Sequence, residues 1–157
     1  MRMRTWVQGA CGAVVMAAGV AGPAGAAPSP EADLAFHGSA VMVGDQVDVR
    51  LTPSNNGPSA VPDASVLLRW SVPLAERQQL LPDGCTRTDE RTVVCGTGAL
   101  VADEAGQQIR MRVRLDEKPS EVTLEVGTAW AGGAVDKDRS NDQLKVLVLD
   151  TGDAYAF

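Results

Sequence analysis

The sequence is poor in the side chains from which most active sites are built. In 157 residues it has one histidine, three cysteines, one tyrosine, two phenylalanines and three tryptophans. A hydrolytic triad needs a nucleophile and a base held by a third group, and the chain offers only His37 and no Gly-x-Ser-x-Gly elbow. One imidazole and so few thiols also fall short of a zinc ligand set. His37, beside Phe36 with no evident partner, reads as an ordinary surface or edge residue. The chain is therefore expected to be non-enzymatic and free of cofactors. Positive charge is scarce too: 14 Lys and Arg stand against 20 Asp and Glu, a net charge of −6. An acidic surface repels phosphate backbones, which argues against nucleic acid as a partner. Also missing is the run of about 20 apolar residues that a membrane-spanning helix requires.

What is present at the amino terminus has the layout of an export signal. Arg2 and Arg4 precede an uncharged stretch of mostly small residues from Val7 to Val20, which breaks at Gly22-Pro23. Ala24-Gly25-Ala26 supplies small residues for cleavage before Ala27. The residues before Cys11, Gln8-Gly9-Ala10, lack the aliphatic side chain of a lipoprotein site, so Cys11 is expected to leave with the signal. The mature chain would be secreted, extracellular or cell-wall associated, with no membrane insertion after cleavage. Its length, 157 less 26, is 131 residues, and losing Arg2 and Arg4 takes the net charge from −6 to −8. That length suits one domain. The cysteines that remain, Cys85 and Cys95, form an even pair in an exported chain and are expected to be bonded. They lie symmetrically about Glu90, as across a hairpin with Thr88 to Arg91 at its tip, and closing so short a loop contributes about 2 to 3 kcal/mol.

After a short proline-rich lead, Ala27 to Glu31, the dominant pattern has period two. Ile109, Met111, Val113 and Leu115 alternate with Arg110, Arg112 and Arg114, which puts the apolar set on one face of a strand and three guanidiniums on the other. Past a turn over 116–120, Val122, Leu124, Val126 and Trp130 alternate with Glu121, Thr123 and Glu125. This reads as a hairpin whose outer faces pair arginine with glutamate. Similar alternation runs through Val47 to Leu51, Val66 to Val72 and Leu144 to Val148. Turn formers such as Gly44-Asp45, Asn55-Asn56-Gly57-Pro58 and Pro82-Asp83-Gly84 separate the segments. Only Leu74 to Leu81, confined by Pro73 and Pro82, has room for a turn or two of helix. The expectation is an all-β antiparallel sandwich of about seven to eight strands over 32–149, with a tail over 150–157.

The order of the motifs resembles a known family. An Asn-Asn-Gly-Pro-Ser turn (55–59), a Leu-Pro-x-Gly-Cys turn (81–85), Val93-Val94-Cys95 and an acidic loop from Asp136 to Asp142 succeed one another with characteristic spacing. The series resembles the bacterial cell-surface immunoglobulin-like modules known as domain of unknown function eleven, and is similar to the bacterial cell-adhesion-related domain. The resemblance spans about Ala32 to Leu149. It implies an immunoglobulin-like sandwich with a binding, adhesive or structural role at the cell surface. The acidic loop is similar to the family's Asp-x-Asn-x-x-Asn-Asn: Asp136 and Asn141 match, and Asp138 and Asp142 replace asparagines.

Three further features are candidates for interaction. Asp136, Asp138, Ser140 and Asp142 have the alternating oxygen spacing of a calcium loop, although Asn141 stands where glycine is wanted and Leu147 where the bidentate glutamate belongs; the alternative is a solvated turn. Trp70 and Trp130 would serve sugar binding, but each has the parity of the buried positions in its strand, so core packing is expected. Tyr155 and Phe157, at the end of the tail, either fold back or form a peptide for a partner to capture. The partner, a protein or a cell-wall component, is not specified by the sequence. Inhibition of an extracellular enzyme through the 88–91 tip is the alternative function.

Overall fold

The computed structural model describes residues 27–76 and 79–157, so the expected signal over 1–26 lies outside the described residues. The fold is all-β. Its strands are β1 (Glu31–Ala32), β2 (Leu34–Val43), β3 (Gln46–Asn55), β4 (Ser65–Trp70), β5 (Cys85–Arg87), β6 (Thr92–Gly96), β7 (Glu104–Ala105), β8 (Ile109–Arg114), β9 (Glu121–Trp130), β10 (Val135–Asp136), β11 (Gln143–Leu149) and β12 (Ala154–Ala156). Two antiparallel sheets form the sandwich. One has the order β11-β9-β4-β6-β5; the other runs β12-β2-β3, with β7 and β8 both pairing β3. A small parallel pair, β1 with β10, closes one end.

Period-two alternation places the core between the sheets. Val47, Val49 and Leu51 of β3, Met111 and Val113 of β8, Val66, Leu68 and Trp70 of β4, and Val122, Leu124 and Val126 of β9 all belong to one buried cluster. Gly44, with φ of 64°, sits in the tight turn that joins Val43 to its partner Gln46. At the other end of β3, Asn55 is fully buried and holds its own turn: its Oδ1 accepts from the backbone of Gly57 (3.0 Å) and its Nδ2 donates to Ser59 O (2.8 Å). A side chain at Gly57 would run into the Ala32–Asp33 backbone, so this turn needs glycine.

Two expectations are corrected. The strand 109–114 does not form a hairpin with 121–130: β8 pairs β3, and β9 lies in the other sheet between β11 and β4. Alternation fixes which face of a strand is buried but not which strand lies beside it, and residues 116–120 carry the chain from one sheet to the other. Second, the described residues of 74–81 form no helical turn. Their backbone groups bond to distant segments, Leu74 N to Glu90 O (2.7 Å) and Ala75 N to Arg114 O (2.9 Å), instead of to each other. Of the two alternatives for residues 150–157, folding back is the one seen, since β12 adds to the edge of β2.

Candidate binding surfaces

The two tryptophans part company at an irregularity in β9. Leu124 lies opposite Trp70 in regular pairing, and Trp70 is 1% exposed. Further along, Val66 pairs Thr128 but Ser65 pairs Trp130, which leaves Ala129 as an extra residue. A bulge of this kind reverses the parity of the residues beyond it. Trp130 is therefore turned outward and is 52% exposed, contrary to the core position expected from alternation, and Val135 beyond it is 46% exposed. Gly127, a glycine inside an apolar strand, is the local signal that the expectation passed over.

The acidic loop packs against this same end. Asp136 accepts from the backbone of Leu34 (2.9 Å) and of Asp138 (3.0 Å). Burial raises its carboxyl above the usual range, outweighing those two bonds, and the carboxylates of Asp142 and Asp33 add to the effect. Asp138 and Ser140 turn on each other: Asp138 Oδ1 accepts from the backbone N (3.1 Å) and hydroxyl (2.5 Å) of Ser140. These bonds hold Asp138 below its usual range, the Ser140 hydroxyl contributing most. Asp142 instead points inward and is fully buried. It lies across from Thr128, whose backbone N donates to Asp142 O (3.2 Å). Neither carboxylate oxygen of Asp142, nor Thr128 Oγ1, nor Asn141 Oδ1 has a hydrogen-bond partner. Arg139 Nε approaches Asp142 Oδ2 at 3.4 Å from a half-exposed position. The calcium-like spacing does not become a cage: among the described residues, no three acidic, imidazole or thiol side chains are grouped so as to hold a metal.

On the outer face of β3 and β8 the arginine stripe meets aspartate, not the glutamates of β9. Arg112 grips Asp48 through Nε (2.6 Å) and Nη2 (3.3 Å), and Arg114 Nη1 contacts both oxygens of Asp45 (3.1 and 3.2 Å). Burial alone would raise Asp45, but the Arg114 guanidinium and a backbone hydrogen bond outweigh it and hold this carboxyl below its usual range. The third arginine differs, since Arg110 lies directly across from Arg50. In the other sheet, Glu125 faces Lys145 of β11 at 3.5 Å.

Cys85 and Cys95 are register partners in β5 and β6 and are disulfide-bonded, as expected. Their hairpin tip is set by two short bonds: Thr88 N to Thr92 O (2.9 Å) and Arg91 N to Asp89 Oδ1 (2.7 Å). The Arg91 bond is the main reason the Asp89 carboxyl sits below its usual range. Arg87 anchors the base of the tip by donating to the carbonyls of Leu74, Ala75, Asp89 and Glu90. At the carboxyl end, Phe157 exchanges backbone bonds with Gly38 (2.9 and 3.0 Å), and Tyr155 and Phe157 pack on the core. Any side chain at Gly38 would strike the Phe157 ring and Arg50 O, so the docked end depends on that glycine. His37 is exposed on β2, paired through its backbone with Thr52.

No family model matches the chain, and no curated protein matches it. Among solved structures, the chain is similar to part of beta-glucosidase 3B from Thermotoga neapolitana, solved in complex with alpha-D-glucose. Identity is 13% and the TM-score 0.48, over 80% of this chain and 17% of that one. The chain thus spans about a sixth of that enzyme's length, a likeness too distant to bear on activity.

Proposed function

We propose that this chain is a secreted, non-enzymatic immunoglobulin-like module, of the bacterial cell-surface type its motifs resemble, with a binding or adhesive role. The observation that carries the reading is Trp130. In a chain with so few aromatics, a bulge turns one large ring out of the core and into solvent, with Val135 exposed nearby. Exposed tryptophan is the residue type most enriched at the energetic centre of binding surfaces. The disulfide-bonded Cys95 lies opposite Val66, next to the bulge, and gives the surface a stiff support, which limits the ordering cost of association. The test is capture of the 27–157 chain on cell-wall preparations and on a panel of secreted proteins. Retention on wall material supports the module, and turnover of any substrate by the pure protein contradicts it.

A second reading, inhibition of an extracellular enzyme, is favoured by the tip itself. Residues 88–90 are exposed and held by a disulfide ten residues in span, a rigid loop suited to insertion in a cleft. A stoichiometric complex with one hydrolase, lost on Glu90→Ala, would select it.

A further inference from the structure

We infer that Arg50 and Arg110 form a site for a phosphate-type dianion on the outer face of the β2-β3-β8 sheet. The two arginines are direct cross-strand partners, and both are exposed on the solvent side. Like charges in that relation oppose folding, yet the neighbouring rungs show how the same strands neutralise arginine: Asp48 holds Arg112 and Asp45 holds Arg114. Among the described residues, neither Arg50 nor Arg110 has a carboxylate within 4.0 Å. Arg110 has only a neutral acceptor, Gln108 Oε1, on its Nε at 2.6 Å, which fixes the direction of its fork.

The surroundings suit a small anion. A depression of about 670 Å³ lies over this rung, lined by Ser39, Arg50, Leu80 and Arg110 and, from the neighbouring rung, by the paired Asp48 and Arg112, whose charges offset each other. The next positions along the rung are small, with Ser39 opposite Arg50 on β2 and Ala156 opposite Ser39 on β12. They form a low floor that leaves the guanidiniums accessible. Two adjacent planar forks, each able to donate a pair of hydrogen bonds, match the oxygens of a tetrahedral dianion better than a single carboxylate. A local excess of two positive charges, on a chain whose net charge is negative, points to a divalent group. The chemistry is that of a phosphomonoester, free or at the end of a larger molecule. This deepens the binding reading by naming a ligand class, and rests on it only in treating the sandwich as a binder.

The test is an amide-resolved NMR titration of the 27–157 chain at constant ionic strength and pH 8, using inorganic phosphate, glycerol phosphate and acetate as probes. Saturable shifts centred on Ser39, Arg50 and Arg110 are expected with both phosphates, at least tenfold weaker with acetate. Arg50→Gln or Arg110→Gln should weaken phosphate at least tenfold. Arg114→Gln, the same charge loss further along the strand, should change it less than threefold. Equal binding of acetate, equal effects of the three substitutions, or shifts centred elsewhere would overturn the site. Binding of glycerol phosphate but not inorganic phosphate would show that the group must be carried on an organic moiety, still supporting the site. Because the titration uses no cell-wall material, a chain that binds phosphate but is not retained on walls separates failure of the surface-module reading from failure of this one.

Discussion

The regular part of β9 and its bulged end contain similar residues with opposite fates. Along 121–126, opposite Arg69 and Trp70, every second side chain is buried and the pairing is unbroken. Beyond Ala129 the parity reverses, Trp130 faces solvent, and two polar groups, Thr128 Oγ1 and the Asp142 carboxylate, are buried without hydrogen-bond partners. One region minimises free energy by packing. It too leaves one buried polar atom, Trp70 Nε1, without a partner, but only the bulged end buries a carboxylate and turns a large ring to solvent, departures from local rules of the kind that concentrate where a protein binds.

The largest effect should come from the regular region. Trp70→Ala leaves a large void between Phe36, Leu68 and the other residues of the core, and should cost about 3 to 5 kcal/mol by denaturant unfolding. A cost below about 1 kcal/mol would erase the contrast between the two tryptophans. At the bulged end, Asp142→Asn should have the opposite sign, raising stability by about 1 to 3 kcal/mol. It replaces a buried carboxylate that has no hydrogen-bond partner with a neutral amide of the same shape. Loss of stability would instead show that the contact with Arg139 outweighs burial. An ordinary surface pair sets the scale: Asp48→Ala, which releases Arg112, should cost about 0.2 to 1 kcal/mol and less in high salt.

The pH dependence should also divide by region. Asp136 in the acidic loop is raised in the folded state, so the folded chain holds the proton more tightly than the unfolded one. Its contribution to stability is present at low pH and lost as pH rises through its folded pKa. Asp45 and Asp89 are lowered, so theirs are present above the usual carboxylate pKa and lost on acidification. Melting temperatures from about pH 3 to 7 should therefore show wild type losing ground to Asp136→Asn as pH rises, and gaining ground on Asp89→Asn.

Much of the fold was legible because alternation reports burial directly. The apolar faces of 47–51, 66–70, 109–115 and 122–126 and the Cys85–Cys95 hairpin all emerge from local pattern. Neighbours distant in sequence were not legible: β8 joins β3 and 116–120 crosses between sheets, and nothing in the alternation of either strand records that crossing. The exposed ring was hidden for a related reason. One unpaired residue, Ala129, changes the face of everything after it while leaving the alternation up to Val126 intact, and Gly127 was its only local sign. Asp142 was legible as an acidic loop residue but not as a buried one, because its inward turn depends on where β11 pairs with β9.

The smallest effect on stability belongs to the residue on which the proposed binding role rests. Trp130→Ala should change unfolding free energy by no more than about 0.5 kcal/mol, since half of the residue is already in water. Retention of the 27–157 chain on cell-wall material, compared between wild type and Trp130→Ala at matched stability, therefore tests the surface-module reading most directly. The expected result is retention of wild type and at least a tenfold loss for the variant. Equal retention of both, or retention of neither, would contradict it.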